Sequence, residues 1–253
     1  FRHRALANGS DELEISPDGG GYRLTFCGEI VAEVQAIGQI AARLIDLLLS
    51  LEHRGKPMLA FCHAAAVSRA GRSLLMPGSS GTGKSTLTAF LVANGFAYLG
   101  DDLVAIGSEG MALLPLPTSL SIKAGSWPIL ESLYPVLPDL ATLHRYGRSI
   151  RYLEPRGHYA ALEAANAPAA IVFPAYCEGA ATSLQALPPV ETMIRLLGAH
   201  ARLSHPGSAA KLAELIHFVE RTPAYQLSYG DLPSAMSAIE NLLAADVAAS
   251  QAT

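Results

Sequence analysis

Eight consecutive residues, Gly78-Ser79-Ser80-Gly81-Thr82-Gly83-Lys84-Ser85, fill every fixed position of the pattern GxxxxGK[ST]. The chemistry this spacing can do is to hold a polyphosphate. Its glycines let the backbone curl so that successive N–H groups point at phosphate oxygens, and a helix starting there adds the positive end of its dipole. Lys84 is a point charge with reach to the β- and γ-phosphates, and the Ser85 hydroxyl is a ligand for Mg²⁺. Thr86, the next residue, belongs to the same nucleotide-binding set.

Two further groups have the right chemistry for moving a phosphoryl group. Asp101 and Asp102 are adjacent acids, one of which can hold Mg²⁺ while the other accepts a proton from an attacking hydroxyl. By itself Gly100-Asp101-Asp102 also makes a good solvated turn. His63 can orient a carboxylate or contact phosphate, although a lone histidine beside an apolar run is as often a hydrogen-bonded core residue.

Elements of the right length would bring these groups together. A strand, Arg72–Met76, precedes the loop, and a helix runs from Lys84 to about Asn94, where Gly95 stops it. That helix carries the chain roughly 15 Å away at 1.5 Å per residue. The strand Phe96–Leu99 and the residues after it return about the same distance at roughly 3.3 Å per residue. Such a crossover places Asp101 and Asp102 at the carboxyl edge of the sheet that also holds the loop. Met58–Val67 reads as one strand pairing with Arg72–Met76 in a hairpin centred near Arg69-Ala70, which sets His63 opposite Met76.

Elsewhere, Leu13–Ser16 and Tyr22–Cys27 read as strands around the turn Pro17-Asp18-Gly19-Gly20-Gly21. Ile37, Ile40, Ala41, Leu44, Leu48 and Leu51 recur at helical spacing until Gly55 and Pro57. Residues 115–157 carry too many prolines and arginines to assign. Ala169–Tyr176 is a strand, helices are expected at Val190–His200, Ala209–Arg221 and Leu232–Ala245, and a short strand near Ala224–Ser228 lies between the last two. The whole reads as one α/β domain over 1–253, with 1–55 a small strand/helix appendage and 56–245 the core.

At these residues the chain resembles HPr kinase/phosphorylase. The shared features are His63-Ala64-Ala65-Ala66-Val67, the loop Gly78–Ser85 and Tyr98-Leu99-Gly100-Asp101-Asp102. Ile171-Val172-Phe173-Pro174, Leu187-Pro188-Pro189 and Tyr229-Gly230-Asp231-Leu232 are similar to the shorter HPr-kinase-related proteins of peptide-modification and polysaccharide gene clusters, among them kinases of lasso-peptide precursors. The likeness spans most of residues 58–243. It implies a P-loop kinase core of the HPr kinase/phosphoenolpyruvate carboxykinase-like type, a mixed sheet with helices around it. It also implies that Asp101 is the base that activates a serine hydroxyl, assisted by His63, and that Asp102 joins Ser85 at the metal.

In two places the resemblance breaks. Leu120-Ser121-Ile122-Lys123-Ala124-Gly125 carries Ser121 where the family has a metal-binding glutamate that also supports phosphorolysis, so kinase activity without the reverse reaction is expected. Lys123 stands where the family has arginine and can contact phosphate. The family's N-terminal domain has no counterpart in the first 55 residues, so HPr itself is not the expected acceptor.

Among the remaining arginines, Arg145, Arg148, Arg151 and Arg156 face a single acid, Glu154, within His144–His158. Arg148 and Arg151 are candidates for contact with a transferring phosphoryl group or an acidic peptide, as against an ordinary solvated basic segment.

The totals exclude several classes. The 253 residues are half hydrophobic, and the net charge of −4 gives no basic field for nucleic acid or an anionic membrane. Of 18 basic residues only Lys56, Lys84, Lys123 and Lys211 are lysines. No NKxD guanine-reading motif is present. Cys27, Cys62 and Cys177 have no CxxC spacing and sit in apolar stretches, so buried free thiols in a reducing cytoplasm are expected. The apolar run Leu44–Leu51 is too short to span a bilayer, and no signal-peptide pattern opens the chain. The chain starts at Phe1 rather than at methionine, which leaves removal of a preceding segment open.

The expected activity is ATP- and Mg²⁺-dependent phosphorylation of a serine-type hydroxyl on a peptide or small protein, with a homo-oligomer left open. The rivals are a kinase of a small-molecule hydroxyl such as free serine or a sugar, and a nucleotide-gated binding module.

Overall fold

The structure is a computed structural model. It describes residues 2–6, 10–36, 40, 43, 44, 47, 57–116, 118–145, 147–155, 159, 160, 168–204 and 207–250. The chain divides into two compact units, Phe1–Lys56 and Pro57–Thr253.

The first unit holds an antiparallel meander of β1 (Arg2–Leu6), β2 (Ser10–Asp18), β3 (Gly21–Phe26) and β4 (Glu29–Val34). The first strand expected here is longer than its sequence pattern, the second keeps its length and is displaced by one residue, and two more flank them. Gly19 and Gly20, with φ of 55° and 96°, make the tight turn between β2 and β3, a conformation that glycine adopts without strain. Most of the helix expected over 37–51 lies outside the described residues.

The second unit is mixed α/β. Its main sheet has the order β15-β17-β14-β7-β6-β8, formed by β6 (Ala64–Arg69), β7 (Arg72–Pro77), β8 (Ala97–Gly100), β14 (Pro168–Tyr176), β15 (Ser183–Leu187) and β17 (Ala224–Tyr229). β7, β14 and β17 are mutually parallel, and β8 runs the same way on the far side of the antiparallel β6. Both faces are buried along β6, β7 and the middle of β14, which is why these strands read as largely apolar runs. Alternate residues separate the two cores: Ala65, Val67, Leu74, Met76 and Val172 on one face, Ala64, Ala66, Leu75, Ile171 and Phe173 on the other.

The first face is covered by helix α1 (Lys84–Ala93), by the long C-terminal helix (Leu232–Ser250) and by a small sheet of β11 (Leu120–Lys123), β13 (Arg148–Leu153) and β12 (Leu143–Arg145). Between β11 and β12 runs the short helix α2 (Trp127–Leu130). The second face meets another sheet, in which β5 (Met58–Cys62) pairs with β9 (Val104–Gly107) and β16 (Arg202–Leu203), and β9 with β10 (Leu113–Leu114). Helices α3 (Pro189–Gly198) and α4 (Ala209–Arg221) also cover it, through Leu196, Leu215, Phe218 and Val219. The C-terminal helix is α5.

Several expectations need correction. Met58–Val67 is two strands in two sheets, broken at His63. The hairpin of β6 and β7 turns at Ala70-Gly71, whose φ of 52° and 76° fit the twist of the flanking strands. Pairing is therefore Ala65 with Met76 and Ala64 with Pro77, and His63 meets Gly78 rather than Met76. None of the three cysteines forms a disulfide, but only Cys62 is buried; Cys27 and Cys177 are exposed, because each stands just past a strand end where the chain leaves the core. Among the described residues no helix is long and apolar enough to cross a membrane.

Candidate functional site

One edge of the main sheet gathers the chemistry. β7 ends in the glycine-rich loop, β8 in Asp101-Asp102, β14 in Tyr176 and β17 in Tyr229, while β6 begins just after His63. Outside the carboxyl ends of parallel strands is where ligands bind in open α/β sheets. Here a cavity of about 880 Å³ opens, lined by the loop together with His63, Asp102, Ser121, Lys123, Arg148 and Tyr176.

The loop is built to leave its N–H groups available. Gly81 and Gly83 sit at φ of 106° and 90°. Thr82 Oγ1 donates to the Ser79 carbonyl at 3.1 Å and braces the curl. Helix α1 starts at Gly83 with no side-chain cap and no acid in its first turn. An uncapped start leaves backbone donors and the dipole facing the cavity, an arrangement that suits an anion. A Cβ on Gly83 would run into the Tyr229 hydroxyl and stand 3.0 Å from the Tyr176 Cβ. Gly83→Ala therefore combines left-handed strain with a collision. It is expected to destabilise the fold by roughly 1–3 kcal/mol, which thermal melts measure.

Lys84 is only 5% exposed, yet its ammonium reaches the site. Nζ lies 3.3 Å from His63 Nε2 and 3.8 Å from Asp102 Oδ1. His63 Nδ1 lies 2.8 Å from the Asp102 carbonyl oxygen. That carbonyl can only accept, so Nδ1 carries the proton and Nε2 accepts from Lys84. Burial, with the Lys84 charge beside it, lowers the His63 pKa and favours this neutral ring. The ring is fixed by its own backbone as well: His63 N donates to the Ala199 carbonyl at 3.1 Å, and its carbonyl accepts from Gly78 N at 3.4 Å. The break between β5 and β6 thus falls on the residue that must hold the lysine.

The two aspartates occupy different environments. Asp102 has a positive φ of 65°, which turns its carbonyl to His63, and its side chain is 54% exposed on the cavity wall. Asp101 is 1% exposed and does not line the cavity. Its Oδ2 accepts from Ser121 N at 3.3 Å, while Oδ1 is buried with no hydrogen-bond partner of normal geometry. Burial pushes the Asp101 carboxyl up to about 6, with Lys84 opposing and Asp102 reinforcing, and with smaller lowering contributions from the Ser85 hydroxyl and the Ser121 N–H.

At the other flank of the loop, Lys123 Nζ and Arg148 Nη1 both donate to Ser80 Oγ, at 2.6 Å and 2.9 Å. Burial and then the like charges of Arg148 and Lys84 lower the Lys123 pKa, as expected of cations assembled around a place for an anion. Thr86 Oγ1 meets Ser126 Oγ at 2.5 Å. Arg151, expected at phosphate or substrate, is engaged elsewhere. Its guanidinium stacks 3.9 Å from the Trp127 ring centroid and donates to the Leu137 carbonyl and Thr142. Arg151 and Arg148 lie on the same strand an odd number of residues apart, so the two side chains leave on opposite faces. Arg156 and the side chain of Arg145 lie outside the described residues.

The residues missed in the sequence are Tyr176, Tyr229 and an apolar wall of Ile129, Ile150 and Tyr152. Strand ends on the loop's own sheet edge were the signal available for the tyrosines.

Among the described residues no group of three or more His, Cys, Asp or Glu side chains is placed to hold a metal. Mg²⁺ does not require one, since it commonly takes one or two carboxylates with phosphate oxygens and water. A pair of acids beside Ser85, one with an orphaned buried oxygen, fits that habit. No family model and no curated protein matches the chain.

Proposed function

We propose that the chain is an ATP- and Mg²⁺-dependent kinase of the HPr kinase-like type that phosphorylates a serine-type hydroxyl on a peptide or small protein. The observation that carries this reading is the position of the Lys84 ammonium, between His63 Nε2 and the Asp102 carboxylate at the mouth of an uncapped glycine-rich loop. A module that only held nucleotide would need neither acid nor imidazole at that point.

In the transfer, the acceptor oxygen bonds to the γ-phosphorus, the bond from γ-phosphorus to the β,γ-bridging oxygen breaks, and ADP leaves with that electron pair. The acceptor's proton goes to a carboxylate. Accessibility favours Asp102 for this role, because it lines the cavity and Asp101 does not. Asp101, buried beside Ser85 with Oδ1 unpartnered, is the better metal-side carboxylate, so we exchange the roles that the family resemblance implied. When bound, Mg²⁺ would neutralise charge on the phosphates, held by Ser85 and Asp101. Lys84, Lys123 and Arg148 supply the remaining positive charge.

Ser121 lends its N–H to Asp101 and offers the site only a hydroxyl, in keeping with forward transfer and no phosphorolysis. Ile129 and Tyr152, 49% and 38% exposed beside Lys123 and Arg148, give an acceptor peptide an apolar surface next to its hydroxyl. Incubation with γ-labelled ATP, Mg²⁺ and serine peptides bearing apolar neighbours should label the peptides. Lys84→Met should cut labelling at least about a hundredfold. Labelling of free serine or a sugar instead would move the acceptor to a small molecule, and the absence of any ATP consumption would leave a nucleotide-binding module.

A further inference from the structure

The cavity has two ends of different character, and their positions on the sheet assign them. Lys123, Arg148 and the wall of Ile129, Ile150 and Tyr152 form one end. Lys123 stands on β11, whose Ser121 N donates to Asp101 Oδ2 at 3.3 Å, so this end belongs with the acids that follow β8. β8 and β6 lie on one side of β7; β14 and β17 lie on the other. A triphosphate whose terminal phosphate faces the acids must therefore carry its nucleoside over the ends of β14 and β17.

What stands there is aromatic. Tyr176 is 48% exposed and lines the cavity, its ring edge-on to Tyr229 with centroids 5.6 Å apart. Both rings are fixed to the loop: Tyr176 N donates to the Thr82 carbonyl at 3.2 Å, and the Tyr229 hydroxyl donates to the Gly83 carbonyl at 3.4 Å. A half-exposed tyrosine on the last residue of a core strand, bonded through its own backbone to a phosphate loop, is placed to stack on whatever the phosphates carry.

Hydrogen bonds among their own backbone groups tie the two strand ends together. Cys177 N donates to the Tyr229 carbonyl, Ala180 N to the Cys177 carbonyl, and the Asp231 carboxylate accepts from Ser234 N. The Tyr176 ring is the group that these strand ends turn toward the cavity.

We infer that Tyr176 is the nucleobase platform of this site, on which the base of a nucleoside triphosphate stacks. This inference rests on the proposed reading of the glycine-rich loop as a triphosphate cradle. The measurement is the affinity of the full chain for Mg-ATP, Mg-GTP and inorganic tripolyphosphate, in the wild type, Tyr176→Ala and Tyr176→Phe. Tyr176→Ala should weaken ATP and GTP roughly tenfold or more, leave tripolyphosphate within about twofold, and be rescued by Tyr176→Phe. The tripolyphosphate arm shows that the variant still folds. Unchanged ATP affinity in Tyr176→Ala would overturn the platform while leaving the cradle standing. Failure of the wild type to bind tripolyphosphate or either nucleotide would remove the cradle and the platform together.

Discussion

Replacing Asp102 with asparagine is expected to lower phosphoryl transfer by roughly 10²–10⁴-fold, the range for loss of a positioned general base, while ATP still binds. The substitution keeps shape and removes the proton acceptor. In the structure, Asp102 shares the Lys84 ammonium with His63, and the distances of 3.8 Å and 3.3 Å show neither contact to be tight. In the proposed reaction a triphosphate entering the loop would compete for that ammonium and free the Asp102 carboxylate to face an acceptor hydroxyl. His63 remains bonded to the Asp102 main chain, so the turn that aims the carboxylate survives the exchange. Asp101→Asn should give a different phenotype: ATP binding that no longer strengthens with Mg²⁺, with transfer lost as a consequence. Calorimetric titration of ATP with and without Mg²⁺, alongside the transfer assay, separates the two. Should Asp101→Asn keep Mg²⁺-dependent binding and lose transfer while Asp102→Asn loses the Mg²⁺ dependence, the acids hold the roles implied by the family resemblance.

The parts of this site that could be read from the sequence are those fixed by length. A ten-residue helix and a four-residue strand return the chain to the edge it left, so the loop and the acid pair had to meet wherever β8 lay in the sheet. The location of His63 at the same edge was legible; its partner across the hairpin was not. The turn uses Ala70 in a left-handed conformation, which few non-glycine residues adopt, and the pairing moved by one residue on each strand. The break at His63 was hidden for another reason. Met58–Cys62 and Ala64–Val67 are buried on all sides, so no alternation of apolar and polar residues marks where one sheet yields to the next. The described residues between 115 and 157 form strands and helical turns of three to six residues, too short for any period to show. Nothing in their order announces that Lys123 and Arg148 converge on one serine, since that contact depends on β11 pairing with β13. The difference in exposure between two neighbouring aspartates is likewise a product of packing, with Asp101 turned into the layer between the main sheet and β11.

Asp101 also ties function to stability, and the same Asp101→Asn protein is expected to be more stable than the wild type above pH 6 although it is inactive. Burial raises the carboxyl from its ordinary 3.8 to about 6, so the folded chain resists its ionisation more than the unfolded chain does. Stability from this group is therefore complete below about pH 4, falls as the pH rises through that window, and stays low above it. A displacement from 3.8 to about 6 corresponds to on the order of 3 kcal/mol. Asparagine occupies the same volume and carries no charge. Its carbonyl can accept from the Ser121 N–H in place of Oδ2. Thermal melts across pH 4–8 should show the two proteins converging at the acid end and Asp101→Asn melting roughly 5–10 °C higher at pH 8. Mg²⁺ with ATP should narrow that gap by stabilising the wild type alone, because only a carboxylate answers the cation. Equal melting temperatures at pH 8 would mean that the buried acid is not strained in the resting protein and that its environment is not built around a missing positive charge.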